Sequence, residues 1–488
     1  MSEEEEVKYD GIKEEEEEEE VKYGISFQEY KNKIRIGDTG TDEFWTKTIE
    51  KTLLVLKKRS LNFSIYRVPS KLRNINEDAY SPRMVSIGPF HQSRKDLLKM
   101  EEHKWRYMLF LLARTKDRAK LKEALKECVK AINGLKQEVT GCYAEDLNNV
   151  TWNELREIVL VDGCFIVELI IRYSEKNIGQ NPDEVINGVW MIPTLKHDLA
   201  LLENQIPFFV LQKLFKIIER SIGEDFRFPC SLTEYALLFF FPESNSKQVQ
   251  ALNSKKVKKV LKSGSLNRAR HLLEILHIFY LPSSLDINPR VHHTWGFKHG
   301  AAKLLEAGIG IEKVATSDLL EITFSGSEGV IKLPPLSIDE TMETVFRNLI
   351  AFEQCSVGVT HHITSYAMLI KSLIASTQDM ELLQNKQIIE KSASSGEDVP
   401  TFFKRMSREV VLKEFCFAEL CDDVDKYSRS WLHCRRIKAY SGVRCRRYIT
   451  ALRNDYFSNP WTIISFVAAV VLLVLTLLQT MYAMLSYY

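Results

Sequence analysis

Apolar residues recur every three to four positions along most of this chain from Phe44 onward, which predicts a protein built chiefly of helices. In LLKMEEHKWRYMLFLL the spacing places Leu97, Glu101, Trp105, Met108 and Leu112 along one helical stripe. Lys120–Ile132 reads as an amphipathic helix with Leu121, Leu125, Cys128 and Ile132 on its apolar face. WNELREIVLVDGCFIVELIIRY is apolar nearly all round and therefore belongs at the centre of the fold. In LALLENQIPFFVLQKLFKIIER, Leu211, Leu214, Phe215 and Ile218 again fall on one face. Pro207 lacks an amide hydrogen and clashes with the carbonyl of Glu203, so the helix must kink or restart there.

Polar stretches predict loops at Glu175–Asn187, Pro242–Lys256 and Pro282–Gly296. The middle one carries a lysine cluster at Lys255, Lys256, Lys258 and Lys259. β-Branched residues on either side of SGSEG, closed by Pro334-Pro335, predict a β-hairpin over Glu321–Leu333. Helices resume in ETVFRNLIAFEQC, SYAMLIKSLIAS and VPTFFKRMSREVVLKEF, and nothing alternates strand with helix as a Rossmann-like sheet would. The expected fold is mainly α: a large irregular helical domain, 44–455, with a minor β-hairpin, followed by one C-terminal transmembrane helix within 456–488.

That last helix rests on the absence of any charge from Trp461 to Tyr482. The run matches the roughly 20 residues needed to cross a hydrocarbon layer of ~30 Å. Trp461, Ile463, Phe466, Val470, Leu473, Leu477 and Tyr482 would form the anchor, with Trp461 and Tyr482 at the interfaces and Asn459-Pro460 as helix start. A buried core helix is the alternative, but the run has no polar face to turn toward water. Arg435, Arg436, Lys438, Arg444, Arg446, Arg447 and Arg453 precede the span and no charge follows it. Positive flanks stay cytoplasmic, so a single-pass, tail-anchored protein with a cytosolic body is expected, in a plasma or internal membrane. The basic flank would also attract anionic headgroups, at about 1 kcal/mol per residue. It carries no nucleic-acid-binding signature. Sequons at Asn62 and Asn149 stay bare in that topology and would be open to glycans in the inverted one.

Charge is distributed unevenly, although the formal net charge over 488 residues is only +1. The first 43 residues form an acidic arm in which EEEEVKY occurs twice, at Glu3–Tyr9 and Glu17–Tyr23. With acid where a secretory signal has base, and no apolar run, the arm reads as a solvated, disordered tail. Docking to a basic partner is its other reading. Nine cysteines without a CxxC, the closest being Cys416 and Cys421, fit reduced thiols rather than a disulfide framework.

Catalytic signatures are missing. The chain lacks GxxxxGK[ST], HExxH and GxSxG, and GIGIEK has no third glycine. His292-His293 with His299, and His361-His362, have no neighbouring cysteine or carboxylate to complete a metal set. No cofactor is expected. Four acids do lie on apolar stripes: Glu101, Asp162, Glu203 and Glu353. A lone buried charge costs several kcal/mol, so each needs a partner, drawn from Arg67, Arg73, His91, His103, Lys104 and Arg347. One reading is an active site with paired carboxylates. The favoured one is a structural polar network that fixes helix register and caps the break at Pro207, because no nucleophile accompanies the acids.

The segments YRVPSKLRNINEDAYSPRMVSIGPFH, MEEHKWRYM, VDGCFIVEL, HDLALLENQIPFFVL, RHLLEILH, RNLIAFEQC and YFSNPWTIISFVAAVVLLVLTLLQT, in order from about Ile65 to Gln479, resemble the plant domain of unknown function 247 proteins. The acidic repeat falls outside that pattern, and the stretches near 242–262 and 282–296 look like its variable insertions. The resemblance implies a mostly helical single-pass membrane protein with no established enzymatic activity and no assigned functional residues. Some grass members are linked to self-incompatibility, a recognition role. The expected function is therefore a membrane-anchored interaction or recognition component without catalysis, meeting lipid through its tail and an unidentified protein through its loops. An enzyme using the carboxylates, or a self-incompatibility-like determinant, are the alternatives.

Overall fold

In the computed structural model, the described residues are 46, 49–50, 63–145, 147, 150–175, 184–188, 190–223, 225–241, 247–282, 295–316, 318–338, 340–391, 399–429 and 460–485. Helices α1 (Glu101–Ala113), α2 (Arg118–Gly134) and α3 (Trp152–Glu175) come first. They are followed by α4 (Met191–Leu199), α5 (Phe208–Ile222), α6 (Leu232–Phe240), α7 (Lys247–Lys262) and α8 (Leu272–Tyr280).

α3 is the axis of the first core. From Val159 to Ile171 every side chain is buried, as its all-round apolar sequence requires, and α1, α2, α5 and α6 pack about it. Gly163 permits the closest approach: a Cβ there would lie 2.6 Å from Leu214 Cδ1 on α5. Leu211, Leu214, Phe215 and Ile218 of α5 all face this core. Pro207 caps α5, so the chain restarts there rather than kinks.

A second core lies around α9 (Ala301–Glu306), α10 (Glu340–Cys355), α11 (His362–Leu373), α12 (Thr377–Asn385) and α13 (Val399–Met406), with α14 (Ala418–Arg429) beside it. α8 is the wall common to both cores. Leu272, Ile275 and Phe279 face the first, Leu273 and Leu276 the second.

Two small sheets border the second core. β1 (Gly310–Lys313), β2 (Thr323–Ser325) and β3 (Val330–Leu333) lie in the order β1-β3-β2. The hairpin expected over Glu321–Leu333 is β2 antiparallel to β3, with Phe324 opposite Ile331. It is not alone, because β1 pairs with β3 in parallel. Pro334-Pro335 does not end the extended chain either: β4 (Leu336–Ile338) follows at once and pairs in parallel with β5 (Ile389–Lys391).

Two further expectations are corrected. Trp105 is 49% exposed and does not share the inner stripe of Met108 and Leu112. The buried arc of α1 centres on Lys104, Tyr107, Met108 and Leu111, about a quarter turn away. A buried lysine, read as polar, conceals that centre. The stretch Pro242–Lys256 is not a loop throughout, since α7 begins at Lys247. Val257, Val260 and Leu261 supply its apolar face. Lys256 turns inward, 2.8 Å from Asp318 and over the Phe279 ring.

The transmembrane helix is not established by the structure: among the described residues no helix is long and apolar enough to cross a membrane. Pro460–Leu485 is a helix, α15, whose surroundings are described only at Ala468, Ala469 and 471–482, all exposed. Of the expected anchor residues, Leu473, Leu477 and Tyr482 are among these, while Trp461, Ile463, Phe466 and Val470 lie outside them. The acidic arm, 176–183, 283–294, His292-His293, the sequon asparagines Asn62 and Asn149 and the basic run Arg435–Arg453 also lie outside the described residues.

Candidate functional site

The irregular segment between α4 and α5 carries LLENQIP, and it organises the most polar part of the interior. A chain that leaves one helix and enters another exposes backbone groups that must find partners. Gln205 Nε2 donates to the carbonyls of Leu199 and Leu201, both at 2.8 Å. Asn204 Nδ2 donates to the Asp198 carbonyl, and Asn348 Oδ1 accepts the Leu202 amide.

The remaining acceptors hold a second, mostly irregular segment, residues 64–91, flat against the helices. Glu203 Oε1 accepts the Val68 amide at 2.7 Å. Asp198 accepts three consecutive amides, those of Arg83, Met84 and Val85, at 2.7–2.9 Å. Asn204 Oδ1 accepts the Ile87 amide and Asp162 Oδ2 the Gly88 amide, at 2.7 and 2.8 Å. Six amides of this strap thus end on three carboxylates and one carboxamide. Gly88 is required at its place: φ is +71°, and a Cβ would lie 2.6 Å from the Gln205 carbonyl oxygen.

Charges balance locally. Glu203 is 2% exposed and meets Arg73 Nη2 at 2.5 Å, with Arg67 at 3.9 Å. His91 Nε2 approaches at 3.3 Å without an aligned hydrogen bond. Burial works to raise the Glu203 carboxyl, but His91, Arg73 and the Val68 amide outweigh it and hold it below its ordinary value. Asp162 meets Lys104 Nζ at 2.8 Å, and the same ammonium reaches Glu101 at 2.7 Å. Burial raises the Asp162 carboxyl; on Lys104 burial acts the other way, and the two carboxylates override it to raise the ammonium. With both carboxylates this close, the ionised pair is the state that fits the geometry.

Glu353 belongs to another part of the fold. It accepts the Ile363 and Thr364 amides at the start of α11 and the Thr364 hydroxyl, and pairs with His277 Nε2 at 2.8 Å. A carboxylate at that end of a helix meets unpaired amides and the positive end of the dipole. The four acids singled out in the sequence are therefore not one constellation. Glu101 and Asp162 share Lys104, Glu203 stands with Arg67, Arg73 and His91, and Glu353 caps α11. Arg347 serves Glu343 instead, at 2.8 Å.

Sequence reasoning missed Asp198 and Asn204, which carry at least as many strap bonds as Glu203, and Gln205, which ties down carbonyls of the turn itself. Polar side chains inside HDLALLENQIPFF, immediately before a helix-breaking proline, were the available signal. It also missed Glu168, buried between Arg114 and Arg172 at 2.7 and 2.5 Å. Chemically, these acids face amides, hydroxyls and cations, and of these described acids only Glu203, at Oε2, is buried with close contacts but no hydrogen bond. Among the described residues no group of three histidines, cysteines or acids is placed to hold a metal, and His362 is buried with Nδ1 against Thr360. The seven described cysteines are free, with burial pushing Cys128 up to about 12.

Comparison with known proteins places this geometry in context. Residues 65–475 match the profile of DUF247, described as a plant protein of unknown function. UPF0481 protein At3g47200 of Arabidopsis thaliana is 28% identical over 468 residues, covering 90% of each chain. Putative UPF0481 protein At3g02645 of the same plant is 23% identical, covering 89% of this chain and 93% of its own. No solved structure matches.

Proposed function

Because the chain belongs to the DUF247 family of plant proteins of unknown function, no activity comes with the family, and we propose from the chain itself a membrane-anchored recognition protein without catalysis. One observation carries the reading. Along α15 every described side chain, at Ala468, Ala469 and 471–482, is exposed, and none is charged. A mostly apolar stretch, broken only by Thr476, Gln479 and Thr480, whose described side chains are all exposed, is costly in water and needs a covering medium. The uncharged run continues back to Trp461, which brings it to the ~20 residues a bilayer requires.

The body would then stand on the side of the basic flank, Arg435–Arg453. The carboxylates paired with strap amides and cations support a structural role: they hold the strap to the helices and make a rigid scaffold. Recognition would lie in what that scaffold displays, the segments near 242–262 and 282–296. Alkaline carbonate extraction of membranes tests the anchor. The full chain is expected to stay in the pellet and a Leu473→Arg/Leu477→Arg variant to move to the supernatant. Extraction of the unaltered chain would defeat the anchor, and glycans on Asn62 or Asn149 would reverse the topology.

A further inference from the structure

α7 presents two contrasting faces. Lys256, Val257 and Val260 are buried. Lys255, Lys258, Lys259 and Lys262 are exposed. Their spacing is i, i+3, i+4 and i+7, so they form one stripe of neighbouring like charges. Among the described residues none of the four makes an ion pair, and Asp318 is taken by Lys256. Arg268, exposed just beyond the helix, extends the positive surface. Like charges at these spacings repel one another, so the stripe is a surface awaiting an anion.

The same chain supplies a polyanion. Residues 1–21 hold eleven glutamates, Glu3–Glu6 and Glu14–Glu20, with Asp10, against only Lys8 and Lys13. This segment lies outside the family match, which starts at 65. We propose that the acidic arm docks along the lysine stripe of α7 within the same molecule. A run of four glutamates meets four lysines, and the second EEEEVKY copy offers the stripe an alternative partner of the same chemistry. The 41 residues from 22 to 62 reach ~140 Å when fully extended, so length does not prevent the contact. Tethering raises the arm's local concentration above that of any free polyanion. The other basic run, Arg435–Arg453, adjoins the helix assigned to the bilayer, where anionic headgroups compete for it.

Zero-length carboxyl-to-amine cross-linking of the full chain in detergent micelles tests this, using an equal mixture of isotope-labelled and unlabelled protein read by mass spectrometry. Expected are same-isotope links from Glu3–Glu6 or Glu14–Glu20 to Lys255, Lys258, Lys259 or Lys262. They should disappear at about 0.5 M salt, where charge interactions are screened beyond ~4 Å. They should also disappear in Lys258→Glu/Lys259→Glu, a surface change whose fold is verified by an unchanged thermal transition. Links to Lys438, links spread evenly over exposed lysines, mixed-isotope links, or no links to α7 would each overturn the proposal.

Discussion

Glu203→Gln isolates the charge of one buried clamp while nearly preserving its shape. The glutamine can still accept the Val68 amide, but Arg73 at 2.5 Å loses its counter-charge. Removing one partner of a buried pair typically costs 3–5 kcal/mol. Arg73 retains 24% side-chain exposure and can turn to water, so the lower end applies, about 3 kcal/mol. If the loss acts on the strap alone, exchange of the Val68 amide should accelerate by roughly a hundredfold. If it acts on the whole body, the melting temperature should fall by about 4 °C for a domain near this size. The pH dependence is the sharper test. Because the folded Glu203 carboxyl is held below its ordinary 4.5, its stabilisation is fully present above that pH and is lost as pH falls through the folded value. The gap between the two proteins should be open at pH 7 and close in acid. Equal Val68 exchange and equal melting at pH 7, or a gap as wide at about pH 3, would refute the reasoning.

Gly88→Ala should destabilise by about 2 kcal/mol or more, from the left-handed backbone and from the 2.6 Å approach to the Gln205 carbonyl oxygen; urea midpoints against the unaltered chain check it. Cys128 and Cys164, both fully buried with thiols raised by burial, should resist iodoacetamide at about pH 8 in the folded protein, while Cys230, partly exposed, reacts. Peptide mapping of the alkylated sites decides this, and labelling of Cys164 before Cys230 would contradict the packing.

Much of the helical architecture was legible because α2, α3 and α5 repeat apolar residues at the helical period, and because Pro207 can only interrupt. The inner face of α1 was not, since its centre is Lys104, whose burial depends on Asp162 more than 50 residues away. The parallel pairings β1 with β3 and β4 with β5 escaped for a related reason. Short strands of three or four residues carry little pattern, and their partners are distant in sequence. At the candidate site, Glu203, Asp162 and their partners Arg73, His91 and Lys104 could be picked out as charges on apolar stripes. Asp198 and Asn204 could not be ranked from pattern alone, because their role is to receive strap amides that any sequence would possess.

The strap has a consequence for synthesis of the chain. Val68 leaves the ribosome 135 residues ahead of Glu203, and Met84 leaves 114 residues ahead of Asp198. At roughly 5–20 residues per second, the Val68 amide waits about 7 to 27 s for its acceptor. Of its three carboxylate clamps only Asp162 emerges earlier, so the half-made protein must shelter most of the segment until the LLENQIP turn emerges.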